Sequence, residues 1–174
     1  MQVRAWPGTG EWFALRLEPG EPLFPTLEGF AEDQGLASGF VTAGLGSLRG
    51  STLGFFDGER YRKRTFPGAL ELVSLTGSLA RVDGRPHFHL HATLGDEAHR
   101  ARGGHLHEAT VAVLAEVLFL AGRGMAFGRN PQGPQLRVLD LWPPGEGPSS
   151  PAQGGSKRRD GPSRVPRPRK RGDT

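Results

Sequence analysis

Hydrophobic and polar positions alternate most strictly at His87–Leu94 (HFHLHATL), where Phe88, Leu90, Ala92 and Leu94 fall on one side of an extended strand. His87, His89, His91 and Thr93 fall on the other, the period-two signature of a half-buried β-strand. A shorter alternation at Glu11–Glu18 sets Trp12, Ala14 and Arg16 against Phe13, Leu15 and Leu17, and predicts a strand that ends at Pro19-Gly20. Over Leu23–Gln34 the period changes: Leu23, Leu27, Phe30 and Ala31 share a helical face. Pro25 is tolerated there only in the first turn, and Gly35 is a natural stop. Ser38–Asp57 predicts two strands bent around Gly44-Leu45-Gly46-Ser47, Asp57-Gly58 a turn, and Arg60–Arg64 a charged connection. Leu70–Val82 reads as another strand, with Glu71 on the side of Val73, Leu75 and Leu79, and Asp83-Gly84 as the turn into the histidine strand. Ala109–Leu120 is apolar on both sides, which a central strand and a buried helix satisfy equally. Gln135–Trp142 closes the pattern as a strand. The sum is an α+β domain of six to eight strands and one main packed helix, covering residues 1–142.

Beyond Trp142 the pattern stops. Residues 143–174 are rich in Pro, Gly, Ser and Arg and nearly free of apolar side chains. Such a segment buries too little surface to offset its ordering entropy, so a disordered tail is expected. Charge divides at the same place. The whole chain carries +4, but from Ser149 onward eight basic residues face two acidic ones, a net +6, which leaves the body at −2. The eight are Lys157, Arg158, Arg159, Arg164, Arg167, Arg169, Lys170 and Arg171, and they would hold most of any affinity for polyanions. The chain has no cysteine, which excludes disulfides and thiolate-bound clusters. The first twelve residues lack the apolar core of a secretory signal, and no run approaches the ~20 apolar residues of a membrane span. A cytoplasmic protein with no membrane partner is the expectation.

All six histidines lie between Pro86 and Glu108. Alternate residues on one face of a strand lie roughly 6.5–7 Å apart at Cα, close enough for imidazoles to converge on one ion. Gly103-Gly104-His105-Leu106-His107 follows a turn, and if the chain folds back antiparallel His105 arrives beside His89 and His91. Three neutral imidazoles with an open fourth position suit an accessible Zn²⁺. Histidines on a polar strand face are also satisfied by water or by one another, so both readings stand at this point. Glu71 either orients a metal-bound histidine or sits at the exposed start of its strand. The glycines at 44 and 46 mark a tight turn or a close backbone approach. They are not a phosphate loop, because the third glycine and the following helix of a dinucleotide fingerprint are missing.

Four segments occur in an order that resembles the plant and prokaryote conserved (PPC) domain family: Gly44-Leu45-Gly46-Ser47-Leu48, Glu71-Leu72-Val73-Ser74-Leu75-Thr76-Gly77, His89-Leu90-His91-Ala92 and Gly103-Gly104-His105-Leu106. The resemblance covers about residues 11–142. It implies a mixed, largely antiparallel sheet with one packed helix, a homotrimer, and a metal held by His89, His91 and His105, with His87 and His107 outside the ligand set. It also implies DNA association, by analogy with plant members that carry AT-hooks. The tail segment Pro166–Gly172 (PRPRKRG) is similar to an AT-hook but departs from the Arg-Gly-Arg core that enters the minor groove. Attraction to DNA phosphates, of either the arm or the hook kind, survives that departure. Two functions follow as expectations: a DNA-associated, nucleoid-type scaffold with a histidine metal site, or a zinc enzyme on the same histidines with Glu71, Glu108 or His107 moving protons. A protein-interaction module with a structural metal is the third.

Overall fold

The computed structural model describes residues 10–132 and 136–142. The tail from 143 onward, with its eight candidate DNA-contacting residues, lies outside the described residues. In chain order the elements are β1 (Glu11–Leu17), α1 (Leu23–Asp33), β2 (Gly39–Phe56), β3 (Tyr61–Phe66), β4 (Leu70–Val82), β5 (Arg85–Gly95), β6 (Ala101–Ala121), β7 (Ala126–Gln132) and β8 (Leu136–Trp142).

The helix is where the change of period put it. Leu23, Leu27 and Ala31 form its buried stripe, and Pro25, its third residue, falls in the first turn, where a missing N–H breaks no bond. Gly35 adopts φ 62°, and the Leu36 N–H donates to the Ala31 carbonyl at 2.8 Å, satisfying an end carbonyl that the helix leaves open. The helix packs on β5 and β6. There Phe30 meets Phe119 edge-on at 6.0 Å, and Phe13 of β1 at 5.1 Å.

The eight strands make one mixed, mostly antiparallel sheet in the order β3-β2-β6-β5-β4-β7-β8, with β1 added on β6. β4 also pairs back onto β2, so β2, β6, β5 and β4 close on one another around a core that includes Leu48, Leu75, Leu90, Val111 and Phe119. Full burial of such a side chain contributes roughly 1.5–3 kcal/mol. Among the described residues the one parallel contact is Arg81 against Gly128, which carries the β7–β8 hairpin at the end of β4. A smaller apolar cluster of Ala80, Met125 and Phe127 seats that hairpin.

Two expectations change, and two readings the sequence leaves open are resolved. Ser38–Asp57 is one continuous strand, because its glycines serve bulges and close approach instead of a turn. Gly46 has φ 142°, and a Cβ there would run into the Leu114 carbonyl of β6. Register shifts flank it at Val41/Ala43 and Gly46/Leu48. The charged stretch Arg60–Arg64 is largely strand β3, paired through Ser51–Phe66 to Phe56–Tyr61; it sits at the sheet edge, where charged residues blunt unwanted pairing. Ala109–Leu120 is strand, the second half of β6. In β4 a bulge between Leu72 and Ser74 interrupts the alternation, so Glu71 and Val73 are exposed while Leu72 and Leu75 are buried. Glu71 therefore sits at the solvent-facing start of its strand.

Candidate metal centre and the cavity beside it

The histidine strand β5 buries Phe88, Leu90, Ala92 and Leu94 in the core, which obliges His87, His89 and His91 to project from the other face. The loop that returns the chain is built on Asp96. One carboxylate oxygen accepts the N–H groups of Ala98 and Arg100 at 3.0 Å each, and the other accepts Arg100 Nε at 2.9 Å and Arg102 Nη1 at 2.7 Å. These donors hold the Asp96 carboxyl well below the usual carboxylate range, with the Arg100 N–H contributing most. His99 takes the left-handed conformation, φ 59°, inside this loop. The loop fixes the register Leu94↔Arg102, Ala92↔Gly104 and His91↔His105, which sets His105 directly across from His91.

The three imidazoles meet. His89 Nε2 and His91 Nε2 are 3.1 Å apart, and one ligand atom from each of His89, His91 and His105 lies within 4.8 Å of the other two. Ligands on a tetrahedral ion with bonds of about 2.0–2.1 Å are themselves about 3.3 Å apart, so the tighter pair is already at ligand spacing. His105 Nδ1 is buried with no hydrogen-bond partner among the described residues, a state that an ion or a donor at that nitrogen would relieve. Burial holds the His89 pKa down at about 4, assisted by the Arg129 charge and then by neighbouring histidines. Burial likewise lowers His105 to about 3, with His89, His107, His91 and Arg129 adding to the effect. Both rings are neutral at pH 7, the form that offers a lone pair to a metal.

His107 extends the cluster without joining the trio. Its ring stacks on His105 at 4.3 Å and meets Tyr61 edge-on at 5.0 Å. The space for it exists because residue 54 is glycine; a Cβ there would collide with the His107 imidazole. Burial and Lys63 lower its pKa. Beside these rings opens a cavity of about 480 Å³, walled by Tyr61 and Lys63 of β3, His87 and His89 of β5, His105 and His107 of β6, Arg129 of β7, and Arg137 of β8 among others. No carboxylate lines it among the described residues. Of the three proton-transfer candidates read from the sequence, His107 lines the cavity, and Glu71 and Glu108 do not. Arg129 is 8% exposed, and its Nη2 donates to Ser78 Oγ at 2.6 Å, directly across β4–β5 from His89. Tyr61, Lys63, Arg129 and Arg137 were not read as site residues from sequence, and no local pattern marks them.

Comparison with known proteins agrees with this architecture. The chain is 35% identical over 136 residues to a bifunctional protein GlmU of Synechococcus sp. (strain JA-2-3B'a(2-13)), covering 78% of this chain and 20% of that protein. It thus spans about a fifth of the length of the curated relatives it matches. A plant- and prokaryote-conserved protein of Pyrococcus horikoshii superposes with a TM-score of 0.73 at 28% identity, over 80% of this chain and 97% of its own. A metal-containing protein of Archaeoglobus fulgidus gives 0.68 at 31% identity, over 79% and 99%. A protein of Ralstonia eutropha JMP134, provisionally described as DNA-binding, gives 0.65 at 26% identity, over 74% and 90%. The family model for the Plants and Prokaryotes Conserved (PCC) domain matches residues 6–121, and the chain belongs to that family.

Proposed function

We propose that the protein is a DNA-associated scaffold: a metal-holding PPC domain over residues 1–142 that self-assembles as a homotrimer and presents basic arms, residues 143–174, to DNA. The observation that carries the metal is the convergence of His89, His91 and His105 within 4.8 Å. An all-imidazole donor set suits zinc, and a relative of the same fold is metal-containing. Self-association is supported by Leu45, Val73, Val113 and Leu118, exposed apolar side chains that line two adjoining surface depressions sharing Leu45. The DNA reading is supported by the tail's charge and by the Ralstonia relative.

Two measurements test it. Elemental analysis of protein purified without chelator is expected to find about one zinc per chain, lost when His89, His91 and His105 are all changed to alanine. DNA retention at two salt concentrations is expected to fall steeply with salt for the full chain, by about 0.9 log units per log unit for each phosphate contacted. It is expected to vanish for residues 1–142. Full retention by the truncated chain would remove the arms from the function.

A zinc enzyme is the second reading, and the cavity opening beside the trio favours it. A metal bound there would supply Lewis acidity or an acidified water. His107 would be the protein's own proton-transfer group.

A further inference from the structure

A buried guanidinium needs an anion or a full set of acceptors, because a charge removed from water without them is strongly unfavourable. Arg129 has neither. It is 8% exposed, its Nη2 is bonded to the neutral hydroxyl of Ser78, its Nε is buried without a partner, and no ion pair to it is found among the described residues. Burial depresses its pKa, and the neighbouring Tyr61 offsets that only in part. The cavity it faces adds Lys63 and Arg137, and neither has a carboxylate partner among the described residues. His107 Nε2 is a further buried nitrogen with no partner there. Cationic groups from β3, β7 and β8 therefore converge on one space with no acid among its described lining residues.

We propose that this cavity is a binding site for a small oxyanion-bearing molecule, with Arg129 as the recessed anchor and Lys63 and Arg137 at its mouth. The ligand class is a phosphate monoester or a dicarboxylate. Planar forked donors match either oxyanion, and donors arriving from several strands suit a group with more than one acceptor oxygen. The volume admits more than a bare ion. The site shares His89 and His105 with the proposed metal centre and deepens that reading by naming what would lie beside the ion, yet its hold on an anion comes from the protein's own cations.

Calorimetric titration of the full chain, zinc-loaded and chelator-treated, with inorganic phosphate and separately with malonate decides the matter. One of the two probes is expected to saturate a single site per chain above a chloride control, and which one does so distinguishes phosphate from carboxylate chemistry. Arg129→Gln is expected to weaken that probe roughly tenfold or more while leaving zinc content unchanged. If Arg129→Gln does not fold, the double variant Lys63→Ala/Arg137→Ala, altered at exposed side chains, is expected to weaken it several-fold instead. The proposal is overturned if neither probe exceeds chloride in either form of the protein, or if a folded Arg129→Gln binds as tightly as the wild type. Probe binding without zinc uptake supports the anion site and removes the metal centre; zinc uptake without binding of either probe does the reverse.

Discussion

Two buried arginines stand next to each other across the β4–β7 bridge, and the protein treats them oppositely. Arg81, 3% exposed, is bonded at both terminal nitrogens: Nη1 donates to Glu32 at 3.0 Å and to the Gly84 carbonyl at 2.6 Å, and Nη2 donates to the Leu36 carbonyl at 3.1 Å, while its Nε, like that of Arg129, has no partner among the described residues. It ties the end of α1 to the β4–β5 turn. Arg129, beside the Gly128 that pairs with Arg81, has among the described residues one hydroxyl acceptor, and it faces a cavity. The first arginine is part of the architecture. The second is a charge for which the described residues supply no carboxylate, which is how binding sites differ from cores.

The sharpest way to break this comparison is to truncate both. Arg81→Met removes three hydrogen bonds and leaves the Leu36 and Gly84 carbonyls short of a donor, and it is expected to lower stability by roughly 2–4 kcal/mol. Arg129→Met removes an uncompensated buried charge, and in anion-free buffer it is expected to stay within about 1 kcal/mol of wild type or to exceed it. Urea denaturation of both variants reads the difference directly. Equal losses would mean that Arg129 is structural.

Zinc sharpens the contrast from the histidine side. A ligand bound only by the native state at roughly 100 times its Kd adds about 2.7 kcal/mol. Wild-type thermal stability is therefore expected to rise with zinc, and that of His105→Ala is not. A smaller effect is expected at Asp96, whose carboxylate organises the loop that brings His105 across from His91. Asp96→Ala is expected to lower the melting temperature slightly and zinc affinity more, since the loop's work is register.

The histidine trio was legible in the sequence for a physical reason. Alternation fixes which side of a strand faces the core, and H-x-H followed by G-G-H after a polar turn leaves little choice of register. The helix was legible too, because Leu23, Leu27 and Ala31 must share a stripe. The cavity was not. Tyr61 and Lys63 lie on β3, whose run of Arg62, Lys63 and Arg64 reads as a polar connection because edge strands are charged by necessity. Arg129 lies in Ala126–Gln132 (AFGRNPQ), a strand not expected at all, since Gly128 and Pro131 argue against one except near a sheet edge. Its hydrogen bond goes to Ser78, 51 residues away, a contact without any local trace.

The smallest effect, pH dependence, ties Arg129 to the histidines. In metal-free protein His89 and His105 titrate at about 4 and about 3, against about 6.5 for an unfolded histidine. Between those values the unfolded chain takes up protons that the native chain refuses, so their stabilising contribution is complete above about pH 6.5 and is lost as pH falls toward 4 and then 3. The Asp96 and Asp57 carboxyls, both held below their ordinary value of 3.8, keep their full contribution down to about that pH and lose it progressively below it. The stability of the metal-free chain is therefore expected to begin its decline near pH 6.5, before the Asp96 and Asp57 carboxyls are protonated. After burial, Arg129 is the largest influence holding His89 down. Arg129→Gln should thus raise the folded-state pKa of His89 and narrow its window, so the variant loses less stability than wild type between pH 6.5 and 4. Parallel denaturation curves for the two proteins across that range would show that the guanidinium and the imidazole do not share a field, and the cavity would lose its electrostatic unity.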